Sequence, residues 1–248
     1  MGLLRSVRSK LGKTIRPRRE FYINTADDLM ESIYWIERPP QRLLVPASLL
    51  RMQGAYVYGP NHPFVDALSN GKEALRDFYR RCQPTTICGL YKLDGKERRG
   101  ADLPPWELPW YGRTNRSPPP GELRLGAEHG VSFYGPVTEA KLSLEHRRLD
   151  KLHNAIQRNG YDCNAYGDIE GYVLNNGRQA VFFVRGGKHR AAVLSALGHE
   201  RIPVAFRSSF PRMVHAVDAE RWPLVRSGAI DITLAKDIFN VYMLGRSN

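Results

Sequence analysis

A lysine, a histidine and an arginine follow two adjacent glycines in FFVRGGKHRAAVLSALG, residues 182–198. An apolar run that favours a strand ends at the glycines, and an Ala- and Leu-rich run that favours a helix begins after them. The first N–H groups of a helix have no partner within the helix, and the helix dipole adds partial positive charge there. Glycines let a ligand approach the main chain because they carry no Cβ atom. The pattern predicts a phosphate site formed by Gly186, Gly187, Lys188, His189 and Arg190.

The three side chains of this turn suit phosphate in different ways. Arg190 has planar donors that match two oxygens at once, whereas Lys188 would act as a point charge on a terminal phosphate. His189 either donates to phosphate or holds the turn by bonding the backbone, and both roles stay open. The alternative to an anion site is a plain strand-to-helix turn with a solvated first helical turn. Cations are unfavourable at a helix N-terminus, however, and a bound polyanion would offset that cost.

The same stretch resembles the signature of the ParB/sulfiredoxin superfamily, whose members carry a glycine-His/Arg turn at the start of a helix. The resemblance rests on GGKHR, on AAVLSALG and on the IPV that follows at residues 202–204. Upstream, LSLEHRRLDKLHNAIQRNGYD (142–162) is similar to the helix that precedes the first core strand of that fold. The resemblance covers about residues 136–207. It implies an α/β (α+β) fold with a small mixed sheet and helices.

The resemblance implies a nucleotide-phosphate site at GGKHR, but it does not transfer every activity of the superfamily. Sulfiredoxins place a nucleophilic cysteine where this chain has Lys188, so their chemistry is not expected. The free-serine kinases have an aspartate at the position of Gly186 and a histidine at that of Lys188, which puts a copied kinase mechanism in doubt. ParB proteins continue into a helix-turn-helix module, and the roughly forty residues after IPV are expected to leave no room for it.

The resemblance also suggests a catalytic acid, because the related serine kinases place a glutamate just before the first core helix. Glu145 is the candidate at that position, as a base or magnesium ligand, and its alternative role is a stabilising charge at a helix N-terminus. Asp162, Asp168 and Glu170 are reserve acids, with surface solvation as the alternative for each. No two of these acids show the spacing of a metal site, so Mg²⁺ is expected to enter with ATP or ADP.

The composition indicates a folded protein in a reducing compartment. The 248 residues include 42% hydrophobic ones, enough for a substantial core. The three cysteines form neither a disulfide framework nor a zinc pattern. No run approaches the roughly 18 apolar residues of a membrane span, and the N-terminus lacks a signal-peptide pattern. These features predict a cytoplasmic protein.

The net charge of +12 is concentrated at the N-terminus, where residues 1–20 hold seven Lys and Arg against Glu20 alone. Apolar residues recur there at helical spacing, which predicts a basic amphipathic tail that contacts an anionic surface, such as the inner face of a membrane. A poorly ordered tail is the alternative. The rest of the chain is only mildly basic, which argues against a nucleic-acid partner.

The sequence divides into four expected regions: a basic amphipathic tail (1–20), an N-terminal helical and irregular region (21–120) with a Pro-rich loop (104–120), the superfamily-like core (121–207) and a C-terminal helical extension (208–248). Within the core, a helix is expected to end at Asn159-Gly160, and Asn175-Asn176-Gly177 predicts a hairpin turn. The tryptophans of the Pro-rich loop favour a packed loop over a linker. His62 is interpreted as an ordinary loop residue or as part of a substrate site.

Three functions remain open from the sequence. The first is an ATP- or ADP-dependent kinase or phosphotransferase that acts on a small hydroxyl compound, either an amino acid or a sugar. A faint similarity of YGPNHPF…DFYRRCQPTT to proteins associated with bacterial surface-polysaccharide synthesis would place that activity in a glycan setting. The second is a nucleotide-binding switch or DNA-associated protein of the ParB kind. The third is a non-catalytic interaction protein that keeps the fold without the chemistry.

Overall fold

The computed structural model of the chain describes residues 20–35, 42–95, 97–112 and 125–246. The predicted basic tail lies outside these residues except for Glu20. Seven strands are present in the described ranges, and they belong to one mixed sheet. In chain order they are β1 (Glu20–Tyr22), β2 (Arg42–Pro46), β3 (Leu50–Arg51), β4 (Glu170–Asn175), β5 (Ala180–Gly186), β6 (Arg201–Phe206) and β7 (Met213–His215).

Nine α-helices surround this sheet in the described part of the chain, with three short 3₁₀ turns between them. They are α1 (Ala26–Trp35), α2 (Pro63–Asn70), α3 (Lys72–Arg81), α4 (Ile87–Tyr91), α5 (Glu139–Asn159), α6 (Cys163–Tyr166), α7 (Lys188–Ala196), α8 (Pro223–Arg226) and α9 (Ile232–Leu244). The 3₁₀ turns span Ala47–Leu49, Ala127–His129 and Ala216–Arg221. None of the helices in the described ranges is both long and apolar enough to cross a bilayer.

The central hairpin of the sheet forms where the sequence predicts it. β4 and β5 are antiparallel, with Asn175 opposite Ala180. In the turn between them, the Asn176 side chain accepts hydrogen bonds from the backbone N–H groups of Arg178 and Gln179. The sheet order is β1-β2-β6-β4-β5-β3, and β7 also pairs with β4. β6 and β7 both run parallel to β4. β6 pairs with the first two residues of β4, and β7 pairs with its last three. The predicted α/β class is confirmed at this level.

Within the described residues, the region before residue 121 contributes three short strands in addition to the predicted helices. β2 pairs with β6, and β3 pairs with β5, so both belong to the same sheet as the core strands. Periodicity does not predict these strands, because β2 is a short apolar run, RLLVP, without alternation, and β3 has only two residues. The C-terminal region likewise adds a strand, β7, to its helices.

A layer of packed helices holds the turn between β5 and α7. α2 and α5 both pack against α7, and α3 packs against α2 and α5. Local signals define these helices: the Thr138 side chain caps α5, and Gly160 ends it at the predicted position. On another part of the sheet, the described half of the Pro-rich loop is packed as predicted, because Trp110 is buried and donates to the Tyr172 hydroxyl at 2.9 Å.

Candidate functional site

The predicted strand, glycine turn and helix are all present at residues 180–196. β5 ends at Gly186, Gly187 has a left-handed backbone with φ of 77°, and α7 begins at Lys188. A Cβ atom at Gly187 would lie 3.0 Å from the Cα atom of Ile169, so this position requires glycine both for its φ and for its space. No side chain caps α7. The first N–H groups of the helix therefore remain for a ligand.

A cavity of about 440 Å³ opens beside this turn. Four of the five predicted residues line it, namely Gly187 to Arg190, and Gly186 does not. Arg148 of α5 and Arg185 of β5 add two further basic side chains to the wall. Among the described residues, those that line the cavity include four Lys and Arg side chains and no Asp or Glu, so this part of the wall is strongly positive.

The ammonium group of Lys188 lies 4.8 Å from the centre of the Phe133 ring. Burial lowers the pKa of Lys188 to about 8, and the neighbouring charge of Arg185 acts in the same direction. Glu145 partly opposes this shift. The charged form of Lys188 is therefore less stable in the free protein than in an exposed lysine, and an anion in the cavity would stabilise it.

Behind the cavity wall, His189 is bonded to Glu145. The distance from His189 Nε2 to Glu145 Oε2 is 2.5 Å, and the other carboxylate oxygen lies 2.6 Å from the Lys141 ammonium. Burial raises the pKa of Glu145. The hydrogen bond with His189 and the charges of His189 and Lys141 outweigh this effect and lower the pKa from 4.5 to about 2. Since Glu145 is ionised, His189 Nε2 carries the hydrogen of this bond. Nδ1 is then the ring nitrogen left for a ligand.

The position expected for Glu145 is wrong, and so is its alternative role as a charge at a helix terminus. Thr138 caps α5, so the helix begins at Glu139 and Glu145 lies in its second turn. The Glu145 side chain is completely buried, whereas that of His189 is 21% exposed. Glu145 is not among the residues that line the cavity. It therefore contacts the site through His189.

One face of the His189 ring packs on α2. Phe64 stacks against this ring, with 4.9 Å between ring centres and 17° between planes. His62 caps α2, because its Nδ1 accepts from the Phe64 N–H at 3.2 Å, and it is completely buried. Burial lowers the pKa of His62 to about 3, and the charge of His189 adds to this effect. His62 is thus a neutral, structural residue beneath the site, neither an exposed loop residue nor part of the cavity wall.

Two arginines of the cavity wall are also held by the protein. Arg190 Nη1 donates to the Tyr166 carbonyl at the end of α6. Arg185 Nη1 donates to the Gln53 side chain at 3.3 Å, and its guanidinium lies 5.4 Å from the centre of the Tyr111 ring. Contacts of this kind fix the direction of a long side chain before any ligand binds, which reduces the entropy lost on binding.

The reserve acids are not among the residues that line the cavity, although Glu170 pairs with Gly186 in the sheet. Asp162 caps α6 by accepting from the Asn164 N–H, and Asp168 forms an ion pair of 2.7 Å with Arg42 of β2. Simple surface solvation is therefore wrong for Asp168. Within the described residues, no group of three or more His, Cys, Asp or Glu side chains could hold a metal ion.

Sequence reasoning missed Arg148, Arg185 and Lys141. Arg185 directly precedes the glycine pair at the end of a strand, and this position was a usable signal. Lys141 is four residues before Glu145 on one helix, which places the two on the same face. Arg148 gave no local signal, because only the packing of α5 against α7 brings it to the turn.

A comparison of the sequence with known protein families finds no match, and no curated protein matches it either. The resemblance to the ParB/sulfiredoxin superfamily therefore stays a prediction.

Proposed function

We propose that the protein binds the phosphate groups of ATP or ADP at the N-terminus of α7 and transfers a phosphoryl group to a small hydroxyl compound. The observation that carries this proposal is the cavity beside α7, where basic side chains from two helices and a strand surround an uncapped helix N-terminus. A helix N-terminus and guanidinium groups both favour phosphate. The four Lys and Arg side chains on the wall, with no carboxylate among the lining residues that the structure describes, support a ligand of high negative charge.

The positions of the side chains suggest how the work is divided. Lys188 and Arg190 would hold the phosphates, with Mg²⁺ arriving on the nucleotide. In the neutral form of its ring, with the hydrogen on Nε2, His189 would accept at Nδ1 the proton of the acceptor hydroxyl as the hydroxyl oxygen bonds to the terminal phosphorus. The bond from that phosphorus to the bridging oxygen then breaks, and the nucleotide leaves with one phosphate fewer. Glu145 is a positioning residue in this scheme, since it fixes the tautomer and direction of His189.

The proposal is tested first by titration calorimetry with ATP, ADP and CTP in the presence of Mg²⁺. Lys188→Met should weaken adenine-nucleotide binding roughly ten- to hundredfold, because one charge-assisted contact contributes about 1.5–3 kcal/mol. Arg190→Ala should weaken it at least as much, but it also removes the hydrogen bond to Tyr166. Among the described contacts, Lys188 makes no hydrogen bond of this kind, only the contact of its ammonium group with the Phe133 ring, so it is the cleaner test.

Lys151→Met provides the matched control, since Lys151 is exposed on α5 and does not line the cavity. Equal binding by wild type and Lys188→Met would contradict the proposed site. A clear preference for CTP would favour a ParB-like switch, and no binding by any of the three nucleotides would remove the proposal. Where ATP binds, transfer of its terminal phosphate to amino acids and sugars tests the catalytic step.

The affinity for nucleotide should fall as the pH rises through about 8. Lys188 has a pKa of about 8 in the free protein, and bound phosphate would raise it, so binding takes up a proton above this pH. The phosphate groups are already ionised there, since their last pKa is about 6. We expect a decrease of up to about tenfold per pH unit, measured by calorimetry between pH 7 and pH 10. Lys188→Met should abolish this dependence; a dependence that persists in the variant would assign it to another group.

A further inference from the structure

A second cavity, also of about 440 Å³, lies between the segment 81–92 and Arg246, near the C-terminus. It shares no lining residue with the cavity beside α7. Three basic side chains, Arg81, Lys92 and Arg246, line it, and the lining residues within the described part of the chain include no Asp or Glu. Like charges gathered in this way repel each other, and a bound anion would relieve that repulsion.

Arg246 is fixed on one wall of this second cavity by contacts that involve no carboxylate. Its backbone N–H donates to the Ala55 carbonyl at 2.8 Å, and its own carbonyl accepts from the Val57 N–H at 3.0 Å. The side chain donates through Nη1 to the Leu90 carbonyl, and the guanidinium lies 5.2 Å from the centre of the Tyr56 ring. Within the described ranges, Nε and Nη2 make no hydrogen bond. The guanidinium is therefore oriented while two of its nitrogens remain for an anion.

The other walls supply an apolar surface and a thiol. Pro84 and Leu90 line the cavity beside the basic side chains. Cys82 also lines it, is only partly buried, and has its Sγ atom 3.3 Å from the Tyr56 hydroxyl. The other two cysteines, Cys88 and Cys163, are buried. Cys82 is thus a chemical reporter for what enters this cavity.

We propose that the second cavity binds a small organic anion. Its carboxylate or phosphate group would contact Arg246 and Lys92, and its carbon skeleton would lie against Pro84 and Leu90. The volume falls within the range of small-molecule sites, about 300–1,000 Å³. This proposal does not depend on nucleotide binding beside α7, because the residues involved are different.

The test compares two alkylating reagents that differ in charge, iodoacetate and iodoacetamide, at Cys82. Mass spectrometry gives the rate of labelling by each reagent at low ionic strength, in folded and in urea-unfolded protein. Any change in the reactivity of the thiol itself affects both reagents, so the ratio of the two rates reports recruitment of the anion. Folding should raise the iodoacetate to iodoacetamide ratio about tenfold, the lower end of the effect of a charged cleft. Added salt should reduce it.

Arg246→Gln and Lys92→Asn should each lower this ratio towards the unfolded value, and asparagine suits the left-handed backbone of Lys92. Lys236→Gln, at an exposed position of α9 outside both cavities, should leave it unchanged. If Arg246→Gln does not fold, the rate ratio of the Lys92→Asn variant tests the proposal by itself. A ratio that is the same in folded and unfolded protein, or that persists in every folded variant, would overturn the proposal. Protection of Cys82 by inorganic phosphate or by succinate then identifies which anionic group the site prefers.

Discussion

Replacing Glu145 by alanine is expected to lower the free energy of unfolding by about 3–5 kcal/mol, the usual cost of removing one partner from a buried ion pair. The carboxylate is completely buried between the Lys141 ammonium and the His189 ring. Its loss leaves the charge of Lys141, itself almost fully buried, without a partner. It also leaves a space where the carboxyl group was. Urea unfolding followed by circular dichroism measures the change.

The double variant Lys141→Met with Glu145→Leu separates stability from function. Because apolar residues of similar volume often replace a buried ion pair without loss, this variant should recover most of the lost stability. It should still lack phosphoryl transfer, since nothing then fixes the tautomer of His189. A double variant with full activity would show that Glu145 does not position His189. A single Glu145→Ala variant as stable as wild type would contradict the buried ion pair itself.

The stability contributed by Glu145 also depends on pH. Its pKa is lowered from 4.5 to about 2 on folding, so the unfolded state binds the proton more readily. The contribution is fully present above about pH 4.5 and is lost as the pH falls towards 2. The acid unfolding of the Glu145→Ala variant should therefore show a weaker dependence on pH in this interval than that of wild type.

Replacing Arg51 by methionine is expected to lower the free energy of unfolding by about 3 kcal/mol, because several buried carbonyls lose a charged donor. Arg51 is buried on β3, where it donates to the carbonyls of Ser48 and Leu50 and to those of Tyr242 and Met243 in the last turn of α9. Burial alone lowers the pKa of Arg51 to about 10. A cation at the C-terminal end of a helix, as Arg51 is at α9, also interacts favourably with the helix dipole.

Denaturant unfolding of Arg51→Met and of a control, Arg80→Met, measures this effect. Arg80 lies on the exposed surface of α3 in an ion pair with Asp77, and such pairs contribute little. The stability of Arg51→Lys should lie between those of wild type and Arg51→Met. An ammonium group has three donors and lacks the planar fork with which the guanidinium bonds four carbonyls. A stable Arg51→Met variant would show that water or a rearranged turn satisfies the end of α9.

Local signals explain which parts of the structure the sequence predicts correctly. The hairpin at Asn175-Asn176-Gly177, the end of α5 at Gly160 and the start of α7 after Gly187 all depend on residues next to them in the chain. β2 and β3 were not predicted because their partners, β6 and β5, are more than a hundred residues away. Their backbone hydrogen bonds exist only in the assembled sheet.

The candidate site likewise combines a part that local sequence predicts with a part that only the packing of distant segments creates. Its glycine turn is local, and four of the five predicted residues line the cavity. The contributions of Arg148 and Lys141 arise from the packing of α5, which places one face of a long helix against the turn. Glu145 lies inside the helix and not before it, because Thr138 caps the helix and starts it about two turns earlier.

The order of the strands bears on how far any part of this protein can fold independently. β1 and β3 form the two ends of the sheet, and both come from the first 51 residues, whereas β4, β5 and β6 lie between them. A fragment made of residues 121–207 alone would expose two long, apolar strands, β5 and β6, with unpaired edges that favour aggregation. In the intact chain β2 pairs with β6 and β3 pairs with β5, and the strands that end the sheet, β1 and β3, have only three and two residues. Strands this short offer little backbone for another molecule to pair with, so the N-terminal segment protects the sheet from self-association.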